Sequence, residues 1–225
     1  MIKVLIFDSG PLINLSMNGL LDILVRLKKI FDGKFIITLP VKRETIDCPM
    51  KVQRFELGAL RIQELLQQGI LELPEALDIN NQELEQITHR LLDKANHVIQ
   101  VKESWVPIVS EAEMSCIALA SLLKRRGFEA LIAIDERTTR TLCEDPYMLE
   151  RIISDRMHQW AKVKAVDLSE FREYEFIRSS ELVYVAYKKG VLGLQGKQAL
   201  EAVLYATKSK GAAISYEEIE TIKKM

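Results

Sequence analysis

Four carboxylates, Asp8, Glu44, Glu113 and Asp135, stand at comparable places along the chain, with Glu136 directly after the last. Asp8 ends the apolar run from Ile2 to Phe7, and Asp135 ends a second one from Ala130 to Ile134. Glu44 lies one turn into a helical stretch, and Glu113 opens the strongest helical pattern. A carboxylate at the tip of a buried strand is costly to desolvate unless a cation or a hydrogen-bond network stabilises it. Four of them in one partly buried pocket would repel strongly. A divalent cation removes that penalty, and all-oxygen ligands favour Mg²⁺ or Mn²⁺. Such an ion makes a water more acidic and neutralises a phosphate oxygen, which is the chemistry of metal-assisted phosphodiester hydrolysis.

Singly, each acid has a structural role open to it. Asp8 is an adequate helix N-cap beside Pro11, and Glu44 could be a solvated helix charge. Ser110 and Glu113 have the spacing of a capping box, and Glu136 suits a helix N-terminus. Two buried strands that end in Asp, with two more acids at helix starts, exceed what capping requires.

The elements that must position these groups alternate. Residues 3–7 read as a strand, about 11–30 as an amphipathic helix, and 34–38 as a second strand. Pro40 opens a helix to Asp47, a further helix covers about 54–68, and 70–73 is a short strand. Asn81 to Lys94 reads as a helix inside a charged, irregular insertion over about 78–104. Ser110 to Arg126 is the strongest helix, its basic end and Gly127 suiting the dipole and the stop. Strand 130–134 follows, and 161–166 reads as the last strand. From about 179 the pattern is helical, with a Ser215–Glu218 capping box opening the final helix. Strands alternating with helices predict a parallel, doubly wound α/β sheet. In such a sheet the residues after strands and in the first turns of the next helices share one edge.

The 225 residues can bury a good core, and 48% apolar with 28% charged content is that of an ordinary folded protein. The net charge of −1 gives no global basic footprint, so a polyanion would have to be held by a local patch or a metal. Cys48, Cys116 and Cys143 are few and far apart, which points away from a disulfide framework and toward a reducing cytoplasm. His89, His97 and His158 lack zinc-ligand spacing. No apolar run reaches the roughly 20 residues of a membrane span, and the N-terminus lacks signal-peptide anatomy.

The residues also carry a family resemblance. Ile6-Phe7-Asp8-Ser9-Gly10-Pro11 resembles the opening motif of PIN domains, and Pro40-Val41-Lys42-Arg43-Glu44 resembles their second motif. Ala112-Glu113 followed by an Ala-rich helix is similar to the third, and Ile132-Ala133-Ile134-Asp135-Glu136-Arg137 to the fourth. Two departures are Ala112, where a Gly is common, and Glu136, where a second Asp is common. The resemblance implies a three-layer parallel-sheet (PIN-like) nuclease domain over 1–168, to which the sequence pattern adds the helical insertion at about 78–104 and a helical C-terminal extension over 169–225, both longer than in the compact toxin members of the family. It implies a Mg²⁺- or Mn²⁺-dependent ribonuclease whose metal-binding acids are Asp8, Glu44, Glu113 and Asp135, with Glu136 as a fifth.

Lys42, Arg43, Arg137 and Arg140 flank the acids and are candidates to hold an RNA backbone. Ser9 is a candidate to orient a metal-bound water. Trp105 and Trp160 read as packing residues, with base stacking as the alternative. The C-terminal helices would cover the domain, a protein partner or the second subunit of a homodimer. Two alternatives accompany the ribonuclease: a non-catalytic RNA-binding or scaffold module of the same fold, and a toxin paired with an antitoxin. An aspartyl-nucleophile phosphatase fits poorly, because the position two after Asp8, where a second Asp would act as acid, is Gly10.

Overall fold

A computed structural model describes residues 2–164 and 167–224. The chain opens with strand β1 (Lys3–Phe7), whose Val4, Leu5, Ile6 and Phe7 are all buried. Helix α1 (Ser9–Met17) and helix α2 (Asp22–Lys28) follow as two helices, where the sequence pattern reads as one. The break is at Asn18-Gly19: Asn18 ends α1, and Gly19 takes φ +69°, a left-handed conformation open to Gly. Strand β2 (Gly33–Ile36) leads into α3 (Leu39–Lys42), capped by Thr38 with Pro40 in its first turn. The expected helix to Asp47 then widens into a π-helical turn, Arg43–Asp47, which carries Glu44. Such turns concentrate at functional sites.

Helix α4 (Gln53–Gln67) matches its expected span. The stretch 70–73 does not form a strand. It joins the sheet only through a parallel bridge between Ile36 and Glu72. The insertion holds α5 (Asn81–Asn96), capped by Asn80, and then β3 (Ile99–Val101) and β4 (Ser104–Trp105). Next come α6 (Glu111–Arg125), β5 (Glu129–Ala133), α7 (Arg137–Glu144), α8 (Met148–Met157) and β6 (Ala161–Val163). The chain ends with β7 (Glu175–Ile177), α9 (Ser179–Lys188), α10 (Lys197–Ser209) and α11 (Tyr216–Lys224).

The main sheet is four-stranded and parallel, in the order β2-β1-β5-β7, and helices flank it. Two expectations are corrected here. β6 pairs antiparallel with β3 in a separate three-stranded sheet, so the strand read at 161–166 is not part of the main sheet, and its residues 165–166 lie outside the described residues. The fourth parallel strand is instead β7, so the stretch read as a purely helical extension supplies a sheet edge. Phe171, Leu182, Val183 and Ala186 from this stretch join the main core, while Leu200, Leu204, Ile214 and Ile219 form a small core of their own.

α6 packs against β1 and β5 and carries α3 and α5. Its residues Met114 to Ala120 are all buried, the pattern of a helix enclosed on every side. Its N-terminus is fixed by Ser110 and Glu113 in a reciprocal capping box. This anchors Glu113 beside the ends of β1 and β5. No helix among the described residues is long and apolar enough to cross a membrane.

Candidate active site

β1 leaves the sheet at Asp8, whose backbone N–H donates to the Ala133 carbonyl of β5 at 2.9 Å. The residue has extended dihedrals and serves as the N-cap of α1: its Oδ2 accepts the Gly10 N–H at 3.2 Å. Oδ1 is buried and has no hydrogen-bond partner among the described residues. At 2% exposure, the carboxyl is pushed up to about 7, by burial first, then by the charges of Glu113 and Glu44. Capping therefore accounts for one oxygen of Asp8 and leaves the other unexplained.

Glu113 faces it from the start of α6. Its Oε2 accepts the Ser110 N–H at 3.0 Å and the Thr139 hydroxyl at 2.6 Å. Burial raises the Glu113 carboxyl above its ordinary range, the Thr139 and Ser110 bonds oppose that, and the charges of Glu136 and Glu44 add to it. Glu44 is exposed on the π-helical turn. Glu136 is also exposed and caps α7, accepting the Thr138 N–H at 3.1 Å and its hydroxyl at 2.6 Å. Asp8, Glu44, Glu113 and Glu136 thus form one electrostatically linked group at the edge where β1 and β5 end.

Asp135 comes to the same edge but is held differently. A Cβ built on Gly10 would touch Asp8 Oδ2 and Asp135 Cβ, each at 3.5 Å, so the two aspartates flank that glycine. Both Asp135 oxygens are engaged: Oδ1 accepts the Ser179 N–H at 2.8 Å, and Oδ2 accepts the Asn14 side-chain N–H at 3.3 Å. Burial raises its carboxyl, and those bonds with the nearby Arg178 charge pull the other way. Asp135 thereby holds the start of α9 and one side chain of α1. Among the described residues, no three His, Cys, Asp or Glu side chains stand as ligands of one metal ion.

Ser9 is the first residue of α1 and partly exposed. Its backbone N–H helps hold the Asp8 carboxyl down. The basic candidates are dispersed. Lys42 pairs with Asp47 at 2.7 Å, and Arg43 with Glu111 at 3.3 Å. Arg137 and Arg140 share a cleft of about 680 Å³ that none of the five acids lines. Trp160 is 94% exposed, which overturns its reading as a packing residue, and Trp105 is 41% exposed.

Four residues of the site escape the sequence reading. Thr139 orients Glu113, and the preceding Thr138 binds Glu136, so the Thr pair after the acids was the available signal. Asn14 sits fully buried between the core residues Leu12 and Leu15, an amide on an apolar helix face. Cys116 lies beneath the acids with its thiol donating weakly to the Phe7 carbonyl at 3.7 Å. Burial first, then Asp8 and Glu113, push that thiol well above its usual range, so it is no nucleophile. Set against known protein families, curated proteins and solved structures, the chain matches none of them.

Proposed function

We propose that the protein is a PIN-like, Mg²⁺- or Mn²⁺-dependent ribonuclease with Asp8 at the centre of its site. The observation that carries this reading is the Asp8 carboxyl, buried, with one oxygen unpartnered and with Glu113 and Glu44 raising its proton affinity. A group held near 7 in that way gives up its proton when a cation arrives, and carboxylate oxygens are the donors a hard divalent ion takes. The acids as they stand do not form a ready set of three ligands and would have to close on it. Asp8, Glu113 and Glu44 would hold it, with Glu136 adjoining. When bound, the ion supplies positive charge to a phosphate oxygen and a more acidic water.

The remaining work falls to the chain's own groups. Thr139 and the Ser110 backbone N–H hold the Glu113 carboxylate in one orientation. The Gly10 N–H fixes Oδ2 of Asp8, and Oδ1 is left without a partner among the described residues. Arg137 and Arg140, on α7 just past Glu136, would bind phosphates of the RNA.

The test is cleavage of a labelled RNA with Mn²⁺, read beside calorimetric titration of the ion. Asp8→Asn is expected to lower cleavage by at least ~100-fold and to weaken ion binding, since even residues that merely support metal ligands cost 10–100-fold. Proton release on ion binding, seen as a buffer-dependent enthalpy, should vanish in the same variant. An unchanged cleavage rate in Asp8→Asn removes the proposal.

One observation favours a second reading, binding of RNA without cleavage: Asp135 is engaged as a structural cap, which leaves fewer acids for an ion. RNA binding in EDTA with no cleavage in Mn²⁺ would select it.

A further inference from the structure

We infer that the surface of α7 and α8 is a seat for a single nucleic-acid strand, with a phosphate at Arg137 and Arg140 and a base against Tyr147 and Trp160. The inference rests on the reading above for the identity of the strand, and it adds a binding surface outside the acidic site.

Trp160 and Tyr147 are 94% and 73% exposed, and both line one hollow of about 650 Å³ along α8. Large aromatic rings dominate core and interface energetics when buried, so two left in water around one concavity mark a place where something flat can cover them. The hollow is continuous with the cleft of about 680 Å³ that Arg137 and Arg140 line, because Asp145 and Met148 line both.

The two hollows differ in chemistry. In the cleft, Arg178 is engaged with Glu181 and Glu218, and Lys208 with the Ile214 carbonyl. Arg140 reaches Glu144 only at 3.5 Å and has a buried Nε–H without a partner among the described residues. Arg137, exposed at the start of α7, stands one turn away. Those two guanidiniums are the groups suited to a phosphate. Around the aromatic rings the charged neighbours are Asp145, Glu150, Asp155 and Arg151, with Arg151 3.9 Å from Asp155 and Glu150 accepting the Val163 N–H at 2.8 Å. That acidic excess repels phosphate and accepts N–H groups from base edges. Asp145 lines both hollows and Glu144 the cleft, so what separates phosphate from base is the pair of guanidiniums on one side and the two exposed rings on the other. A basic track with exposed aromatic rings is the usual means of holding single strands, whose bases are free to stack, whereas in a duplex they are not.

The test is binding of a labelled single-stranded oligoribonucleotide to the whole protein in EDTA, where no cleavage occurs, with a duplex of the same sequence as competitor. A Trp105→Phe background leaves Trp160 as the one indole, and its fluorescence should be quenched on binding. Trp160→Ala with Tyr147→Ala is expected to weaken binding about tenfold or more. Arg137→Gln with Arg140→Gln should weaken it and flatten its salt dependence. Melting temperature and its rise with Mn²⁺ should stay unchanged in the aromatic variant, because both rings are on the surface. Binding as tight as the wild type's by either double variant, absence of binding by the wild type, or preference for the duplex would each overturn the inference. Binding that behaves as expected, with no cleavage in Mn²⁺, would instead remove the ribonuclease reading and leave this one in place.

Discussion

Asp8 and Asp135 each come just after a buried strand, and those strands, β1 and β5, are parallel neighbours in one sheet. Around Asp8 burial and two other acids outweigh the Gly10 and Ser9 backbone N–H groups, so its carboxyl is pushed up to about 7, and Oδ1 stays unpaired among the described residues. Around Asp135 it provides the Ser179 N–H, the Asn14 amide and the Arg178 charge. The same residue in the same local context therefore keeps an unpaired oxygen in one place, the poised ligand proposed above, and is a structural clasp in the other. What decides the difference is the chain that arrives in space, α6 with Glu113 in one case and α9 in the other.

The largest way to break the comparison is Asp8→Asn in metal-free protein. The folded chain holds this carboxyl near 7, above its ordinary value of 3.8. Its contribution to stability is therefore full below about pH 4 and is lost as pH rises through about 7. Removing the ionisable group should flatten that decline, a gain at alkaline pH of up to about 4 kcal/mol. Urea denaturation in EDTA across this range measures it, and a wild-type stability that rises over the window would contradict it. Next is the cation itself: at 100 times its dissociation constant, Mn²⁺ should add about 2.7 kcal/mol, or a melting temperature higher by several degrees. A flat melting temperature in Mn²⁺ would break the poised-ligand half of the comparison.

Asp135→Ala should act in the opposite sense from Asp8→Asn. It leaves the buried Ser179 N–H and Asn14 amide without an acceptor and should cost about 1–3 kcal/mol at any neutral pH. If it stabilised the metal-free protein instead, Asp135 would belong with the repelling acids. The smallest effect is expected for Glu113→Gln. Its amide oxygen still accepts from Ser110 and Thr139, so relief of repulsion should give under about 1 kcal/mol of stabilisation while the Mn²⁺ response is lost. A retained Mn²⁺ response would make capping the whole role of Glu113.

Much of this was legible in the sequence, for local reasons. The ends of β1 and β5 are marked by apolar runs that stop at an acid, and two capping boxes, Ser110–Glu113 and Ser215–Glu218, form as their spacing predicts. The missed features depend on partners far along the chain. β7 is three residues long and mostly half-buried, too short for an alternation pattern, and only its pairing with β5 makes it a strand. The clasp on Asp135 joins residues 44 and 121 positions away. The π-helical turn under Glu44 has no propensity signal, since Arg43 to Asp47 read as plain helix.

The edge position of β7 has a practical corollary for anyone trimming this protein. A fragment stopped at residue 168 would strip β5 of its hydrogen-bonding neighbour and leave the Ile134 N–H without the Ile177 carbonyl it now meets at 2.9 Å. Phe171, fully sequestered in the intact chain, would vanish along with its share of the interior. Bare strand margins invite pairing with other molecules, so the shortened piece should clump rather than behave as a minimal enzyme.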